Sequence, residues 1–419
     1  MDQYMNRLAD QALADELEAF GAVYITGPKW CGKTTTGLQL AKSSLFLQNP
    51  DQRQQVLSLA GLQPSRLLEG ENPRLIDEWQ DAPQLWDAVR FEVDRRSEVG
   101  LFILTGSTGV DEKKIAHSGT GRISRLKMRT MSLFESGYSS GEVSLRALFD
   151  GEEISAKSKH TIPDLAEQIV RGGWPGSVGK SYTLARRQVA GYCKSILETE
   201  ISTPDGVSRD PDKVEAVVKS YSRHTATPAA ISTIINDVRE YFKPLSRNTA
   251  SDYLTALEKI YVIEDLKAWS PRLRSKTAVA VSPTRQFVDP AIAAFFLNAG
   301  TDDLLNDLET YGFLFESLAV RDLRIYAESL GGKVFHYRDH SGLEADAIVH
   351  LPDGRWGAIE VKLGAAWIEE AAVNLEKLKA KIDTDRMKPP SFLAVLCGNG
   401  YAYQRKDGIF VLPIDCLKN

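Results

Sequence analysis

Residues 27–34, Gly-Pro-Lys-Trp-Cys-Gly-Lys-Thr, match G-x-x-x-x-G-K-[ST] in full and follow the apolar run Ala22-Val23-Tyr24-Ile25-Thr26. A chain with this order has few folds open to it. The run reads as a buried strand. The glycines let the backbone curl with its N–H groups inward, and Thr34–Ala41 reads as a helix whose positive end faces the loop. Such a loop cradles a phosphate chain. Gly27, Pro28, Lys29, Trp30, Cys31, Gly32, Lys33, Thr34 and Thr35 are therefore the expected contacts of a nucleoside triphosphate. Lys33 would reach the β- and γ-phosphates and the Thr34 hydroxyl would ligate Mg²⁺. The competing reading is a chance glycine-rich turn ahead of a helix; strand, loop and helix in the right order weigh against it.

Three more segments belong with this loop. Leu75-Ile76-Asp77-Glu78 is a short strand ending in two carboxylates. Asp77 is assigned to the metal and Glu78 to the base that polarises the attacking water; a solvated acidic strand end is the alternative. Leu101–Leu104 is expected to lie between the other two strands, and its tip carries Thr105-Gly106-Ser107-Thr108. Ser107 or Thr105 would orient water or touch the γ-phosphate, with turn chemistry as the rival. Gly121–Arg129 alternates as an edge strand with Arg125, Lys127 and Arg129 on one face. Arg122, at its start, is a candidate arginine finger from the same chain or a neighbouring subunit, or part of a solvated basic strand.

These residues carry a resemblance. Gly-Pro-Lys-x-x-Gly-Lys-Thr, Leu-Ile-Asp-Glu-Trp-Gln, Leu-Thr-Gly-Ser and Gly-Arg followed by Met-Ser-Leu-Phe-Glu-Ser resemble prokaryotic AAA+ ATPases of one largely uncharacterised family, with a C-terminal region of unassigned function. The resemblance spans essentially the whole chain. It implies an AAA-type core that uses ATP and Mg²⁺.

Composition narrows the rest. The 419 residues allow two to four domains at roughly 100–200 residues each. No apolar run reaches the length of a membrane span, and the first residues lack a signal peptide's basic start and apolar stretch. Four separated cysteines form no metal or redox pair, so a reduced cytoplasm is expected. A net charge of −5 means that any nucleic-acid contact must come from local patches.

In the middle, residues 139–160 read as a polar surface excursion. Residues 160–200 read as a helical lid broken by Arg171-Gly172-Gly173-Trp174-Pro175-Gly176, with Trp174 as a packing residue. Three helical patterns follow: Val214 to Tyr221, a second capped by Thr227 with Pro228 next, and a third opening at Ser246 with Ala250, Leu254 and Leu257 buried. A short strand, Tyr261–Leu266, comes next. That order fits a winged helix-turn-helix, and the resembled family has one here. Arg247, Asn248, Ser251 and Asp252 project from the first turns of the third helix, where DNA would lie although Asp252 would repel phosphate, and Arg272, Arg274 and Lys276 would sit on the wing; a protein contact or an ATPase lid is the alternative.

The C-terminal region reads as helix 311–329, strand 334–337, hairpin 343–363, helix 367–382 and strand 392–396. With Pro352-Asp353-Gly354 as a three-residue loop and Gly354 left-handed, Asp346 falls opposite Glu360 and Glu344 opposite Lys362. All four then share one face, with Leu343, Ala345, Ala347 and Val349 on the other against Ile359, Val361 and Leu363. This resembles the PD-(D/E)xK nuclease superfamily. The resemblance implies Asp346 and Glu360 as ligands of Mg²⁺ or Mn²⁺, Lys362 as the group that activates water or stabilises the transition state, and Glu316 and Glu344 as helpers. A solvent-facing hairpin with an ordinary Lys–Glu pair is the alternative.

The expected fold class is therefore α/β: a P-loop AAA-type ATPase core with a parallel sheet (1–145), a helical lid (146–205), a winged helix-turn-helix (206–285) and a restriction-endonuclease-like α/β domain (286–419). ATP and DNA are the expected partners, with no membrane and with homo-oligomer formation left open. The rival function is a nucleotide-gated interaction protein whose C-terminal domain binds a partner without cutting.

Overall fold

The computed structural model describes residues 4–107, 118–241, 245–271, 281–382 and 387–419. Thr108, Arg272, Arg274 and Lys276 lie outside the described residues. Helix α1 (Leu8–Ala19) leads into β1 (Ala22–Thr26), the loop, α2 (Lys33–Leu40) and β2 (Ser43–Phe46). Helix α3 (Arg53–Leu62), β3 (Arg74–Asp77), α4 (Gln84–Arg96), β4 (Phe102–Gly106) and β5 (Ile123–Lys127) complete a five-stranded sheet ordered β2-β3-β4-β1-β5. Its neighbours all pair in parallel, and β4 lies between β3 and β1 as the sequence suggested. Alternate residues pack on opposite sides. Ala22, Tyr24, Phe102 and Leu104 join Leu85, Trp86 and Val89 of α4, whereas Val23, Ile25 and Ile103 join Leu13 and Leu17 of α1. A sheet covered on both faces explains why β1 is apolar throughout.

Beyond β5 the chain does not wander over the surface. Strand β6 (Val143–Ser144), α5 (Leu145–Asp150) and β7 (Ala156–Lys157) belong to the C-terminal half of the protein. Val143 pairs with Leu417, and Lys157 with Tyr401. The expected excursion over 139–160 is thus incorrect. Two short strands anchor the segment to the C-terminal sheet and to the strand Leu417–Lys418, while Leu145, Leu148 and Phe149 are buried.

Helices α6 (Ile162–Arg171), α7 (Tyr182–Glu198), α8 (Pro211–Arg223), α9 (Ile231–Tyr241), α10 (Arg247–Lys259), α11 (Pro290–Phe296) and α12 (Thr301–Asn306) form one layer. Packing crosses two of the expected boundaries here. Helix α7 packs on α8 across the supposed division at 205, and α11 packs on α6, α7 and α8 although it lies beyond 286. The cause is α11 itself: Ala291, Ile292, Ala293, Ala294 and Phe296 are all buried, so it needs apolar neighbours on several sides.

Thr227 does not cap α9, which starts at Ile231. The backbone at 225–227 is already paired: Ala226 N–H donates to Arg285 O (2.8 Å) and Arg285 N–H to Thr227 O (2.9 Å). Helix α10 begins as expected, with Ser246 accepting from Thr249 N–H at 3.0 Å. An antiparallel ladder follows, in which Glu264 N–H donates to Gln286 O and Leu266 N–H to Thr284 O.

The C-terminal sheet contains β8 (Lys333–Arg338), β9 (Glu344–His350), β10 (Trp356–Lys362), β11 (Phe392–Cys397), β12 (Tyr401–Gln404) and β13 (Phe410–Pro413). With β7 it has seven strands, ordered β7-β12-β13-β11-β10-β9-β8; β14 (Leu417–Lys418) pairs separately with β6. Helix α13 (Leu308–Ser329) covers one face and α14 (Ile368–Lys381) the other. The hairpin register is the one the turn residues imply. Val349 pairs with Gly357 and Ala347 with Ile359, and Leu351 N–H donates to Arg355 O around the three-residue loop. The strand pairing ends at Ala347 and Ile359, one residue short of Asp346 and Glu360, and Val361 N–H turns to the Asp346 side chain.

Both faces of the hairpin are buried, which corrects the expected split into an apolar and a polar side. Ala347, Val349, Ile359 and Val361 face α13, whereas Ile348, Trp356 and Ala358 face Leu375 and Leu378 of α14. Ala345 also falls on the α14 side, where the β8–β9 register shifts between Phe335 and Tyr337. Gly354 adopts φ +84°, and a Cβ there would meet only the end of Lys388, 4.0 Å away. Gly354→Ala should therefore cost about 1 kcal/mol by conformation alone, read as a lower urea midpoint without loss of the folded baseline.

Candidate functional site

The phosphate loop closes between β1 and α2. Gly27 has φ +145°, and a Cβ there would lie 2.2 Å from Met128 O, so no larger residue fits. Gly32, at φ +103°, caps α2 and receives Thr36 N–H at 2.9 Å. Lys33 is 5% exposed and donates to the carbonyls of Gly27 (3.0 Å) and Pro28 (2.8 Å), which holds the ammonium inside the curl of the loop.

Asp77 ends β3 directly alongside. Its Oδ1 accepts from Thr34 Oγ1 and Thr105 Oγ1, both at 2.6 Å. A carboxylate and a P-loop hydroxyl meeting this closely fit a hydrated Mg²⁺, since both are hard oxygen donors at the mouth of the loop. Glu78 stands next to it in a left-handed conformation (φ +55°), uncommon for a residue with a side chain. Its backbone N–H donates to Thr105 Oγ1 at 3.3 Å, and its carboxylate accepts from Gln80 and, at 3.5 Å, from Ser107 Oγ. Thr105 and Ser107 thus do different things: Thr105 braces Asp77 and Ser107 faces Glu78.

Arg122 is elsewhere. It precedes β5, beside Ala22 at the start of β1, whereas the phosphate loop follows Thr26 at the other end. Five strand residues, about 16 Å, separate the two, and Arg122 instead pairs with Asp94 at 2.7 Å. A finger acting within the same chain is therefore excluded by the direction of the strand. Arg125, Lys127 and Arg129 do not form a solvated basic face either. Lys127 and Arg129 meet Glu264, and Arg129, 4% exposed, also meets Glu328.

Several neighbours of the loop carry no sequence motif. Lys29 Nζ pairs with Glu200 Oε1 at 2.6 Å, Trp174 Nε1 donates to Lys29 O at 3.2 Å, and Arg7 donates to Cys31 O at 2.7 Å. Of the other loop residues, Cys31 is buried and Thr35 is exposed on the first turn of α2. The helical layer therefore holds the phosphate loop from outside through groups more than a hundred residues away.

The second cluster lies where β9 and β10 part. Lys362 Nζ sits 2.7 Å from Glu360 Oε2 and 3.4 Å from Asp346 Oδ2, and Asp346 Oδ2 also accepts from Val361 N–H at 2.7 Å. Glu360, 2% exposed, is pushed up to about 7 by burial and then by the charge of Asp346. Glu316, reaching in from α13, is held well above the carboxylate range, first by lost hydration and then by Asp346. Burial opposes the charge on Lys362, but Asp346 and Glu360 outweigh it and keep the ammonium protonated.

Glu344 lines the same cavity as Glu316 and Asp346, with its side chain half exposed and 3.5 Å from Arg338. Asn374 of α14, which no motif marked, donates to Glu360 Oε1 (2.6 Å) and to Glu344 O (2.9 Å). Among the described residues no three His, Cys, Asp or Glu side chains are grouped to hold a metal ion. Here Lys362 supplies the positive charge between the two carboxylates. A cavity of about 220 Å³, bounded by Thr227, Glu316, His336 and Asp346, opens beside them.

The sheet order, the loop and the Asp77 constellation define a P-loop ATPase domain. A family model described as an AAA domain (AAA_14) matches residues 19–136, so this part of the chain is an AAA-type, ATP-binding domain. A domain of unknown function (DUF8612) matches 162–303, and another (DUF4143) matches 311–417. Those bounds follow the helical layer and the C-terminal sheet. No curated protein matches. Among solved structures, the Walker-type ATPase PABY2304 of Pyrococcus abyssi is similar at 12% identity and a TM-score of 0.44, over 70% of this chain and 96% of that one. No described helix is long and apolar enough to cross a membrane.

Proposed function

We propose that this chain hydrolyses ATP to drive a DNA-engaging module that carries a metal-dependent phosphodiesterase site. The contact of Asp77 with both Thr34 and Thr105 carries the first half. Bound Mg²⁺ would neutralise charge on the β- and γ-phosphates, with Thr34 and Asp77 as its holders. Lys33 binds the same phosphates from within the loop, and Glu78 takes the proton of the attacking water. Gln80 and Ser107 fix the Glu78 carboxylate in position. Mixing parent protein with ATP and Mg²⁺ and following phosphate release tests this half.

The second half rests on the C-terminal cluster and the helical layer. Helices α8, α9 and α10 followed by the pairing of 262–266 with 284–288 have the order of a winged helix-turn-helix, and Arg247, Asn248 and Ser251 are exposed on α10. Asp252, the residue most hostile to phosphate, is paired with Arg209. Asp346 and Glu360 are adjacent carboxylates with Glu316 behind and Lys362 between, the donor set of a PD-(D/E)xK site. A divalent ion would be held by Asp346 and Glu360, with Lys362 released towards the phosphate and Glu344 assisting from the same cavity.

The reading in which the C-terminal domain binds a partner without cutting has its own support. Lys362 already neutralises both carboxylates, and no third ligand is grouped with them. Labelled linear, branched and single-stranded DNA with Mg²⁺ or Mn²⁺ separates the two. Parent protein should cut at least one substrate, and Asp346→Ala and Lys362→Ala should each lose about 10²-fold or more in rate. An inert parent would move the conclusion to the partner-binding reading. Arg122, exposed and at the far end of the sheet, is left as a contact to a neighbouring subunit if the protein assembles.

A further inference from the structure

Trp30 occupies the fourth position of the phosphate loop with φ +63°, a conformation that glycine adopts freely and a bulky side chain rarely does. Its ring is 62% exposed. Strain of this kind persists where surrounding structure imposes it, and it clusters at ligand sites. Here it holds the indole over a cleft of about 270 Å³ between the loop and the helical layer, with Trp174, Val189, Gly191 and Tyr192 among its walls. The rings are mutually arranged: Tyr192 lies 6.0 Å from Trp30 and 4.8 Å from Trp174, centroid to centroid. Gly191 is in the interior of α7, where glycine is unfavourable, and a Cβ there would meet nothing within 4 Å. Packing does not require that glycine. A side chain at 191 would enter the open space beside the cleft.

From this geometry we infer that the cleft is the base subsite of the nucleotide, and that it accepts a purine by stacking with little discrimination between adenine and guanine. This rests on the ATPase reading. Continuity with the phosphate loop identifies the occupant: Trp30 is a loop residue, Trp174 donates to Lys29 O, and Pro175 lies 3.6 Å from where a Cβ on Gly32 would be. The volume is just below the ~300–1,000 Å³ of a site for a whole small molecule, and so suits one ring system whose phosphates lie in the neighbouring loop.

Lack of selectivity follows from the polar inventory. The one side-chain amide on the walls, Gln188, is occupied. With its amide in the orientation that satisfies both ends, it donates to Gly176 O (3.0 Å) and Ser177 Oγ (3.2 Å) and accepts from Lys180 Nζ (2.8 Å). Stacking is tolerant of base identity because every base presents a π-face.

The test measures binding of ATP, GTP and inorganic tripolyphosphate, each with Mg²⁺, to the full chain. In the parent, ATP and GTP should bind within about threefold of each other. Trp30→Ala should weaken both about tenfold or more while leaving tripolyphosphate affinity unchanged, as loss of one base-stacking surface requires. Gly191→Leu, which adds a side chain to the cleft and removes none, should do the same. A parent preference for ATP over GTP above tenfold would overturn the unselective slot. Unchanged ATP affinity in both variants would put the base elsewhere. A parent that binds neither ATP nor tripolyphosphate would instead overturn the phosphate-loop reading beneath it.

Discussion

Lys33→Ala should abolish ATP binding at micromolar nucleotide, and Glu78→Gln should bind ATP like the parent yet hydrolyse it about 10²–10⁴-fold more slowly. The two variants separate two jobs. In the proposed binding mode Lys33 would contribute charge-assisted hydrogen bonds to two phosphates, each worth about 1.5–3 kcal/mol, so its removal would cost roughly two to four orders of magnitude in affinity. Its burial inside the curl of the loop leaves no nearby lysine or arginine of the loop to take its place; Lys29 is committed to Glu200. Glu78 touches neither Lys33 nor Thr34, so replacing its carboxylate by an amide leaves the phosphate cradle intact. What is lost is the base. Equilibrium binding of a fluorescent ATP analogue together with a phosphate-release assay reads both effects. If Lys33→Ala retained parental affinity, the nucleotide would not lie in this loop. If Glu78→Gln turned over at the parental rate, the base would be a different group.

Asp289→Ala should be the most destabilising single change away from the nucleotide. This carboxylate is fully buried at the start of α11 and gathers four partners from four parts of the chain. Thr130 Oγ1 donates at 2.7 Å, Gly173 N–H at 2.9 Å, Ala291 N–H at 3.0 Å and the Arg321 guanidinium at 3.0 Å. Arg321 also bonds Asp322, which accepts from Leu133 N–H. The segment after β5, the Gly-Gly-Trp-Pro turn, α11 and α13 are thus tied at one point. Breaking a buried pair from one side typically costs about 3–5 kcal/mol, because the other charge is left behind. We expect the first unfolding transition of Asp289→Ala to move by about that much. Because the chain has several domains, that transition should be followed by two probes. The double change Asp289→Leu with Arg321→Met should cost less than Asp289→Ala alone, since no charge is stranded. A shift below 1 kcal/mol for Asp289→Ala would show that this junction does not hold the halves together.

The parts legible in the sequence are those built from near neighbours in the chain. The phosphate loop, β1 and α2 form from twenty consecutive residues whose spacing leaves little choice. The hairpin register could be read because Pro352-Asp353-Gly354 is a turn with one left-handed position, and pairing on either side of it is then determined residue by residue. Ala347 opposite Ile359 follows from counting. Ser246 capping α10 is local in the same sense.

The misreadings share a different cause. Residues 139–160 are mostly polar yet carry two short strands, and nothing nearby announces partners at 401 and 417. Thr227 looked like a cap, but its backbone was already engaged by Arg285. Arg122 follows a glycine at the start of a strand, and only the parallel pairing of β5 with β1 reveals that it is at the wrong end of the sheet. Asn374 and Glu200 act through single contacts made across the fold.

Local chemistry thus came from the sequence by itself: a phosphate-binding loop, its acidic companion strand, and the register of a hairpin that carries two carboxylates. The tertiary structure alone decided which distant groups brace that loop, which arginine cannot reach it, and where the domains join. The physical reason is that turns, caps and strand alternation are governed by residues a few positions apart. Strand direction, burial and ion-pair partners depend instead on surfaces that meet only after the chain has folded.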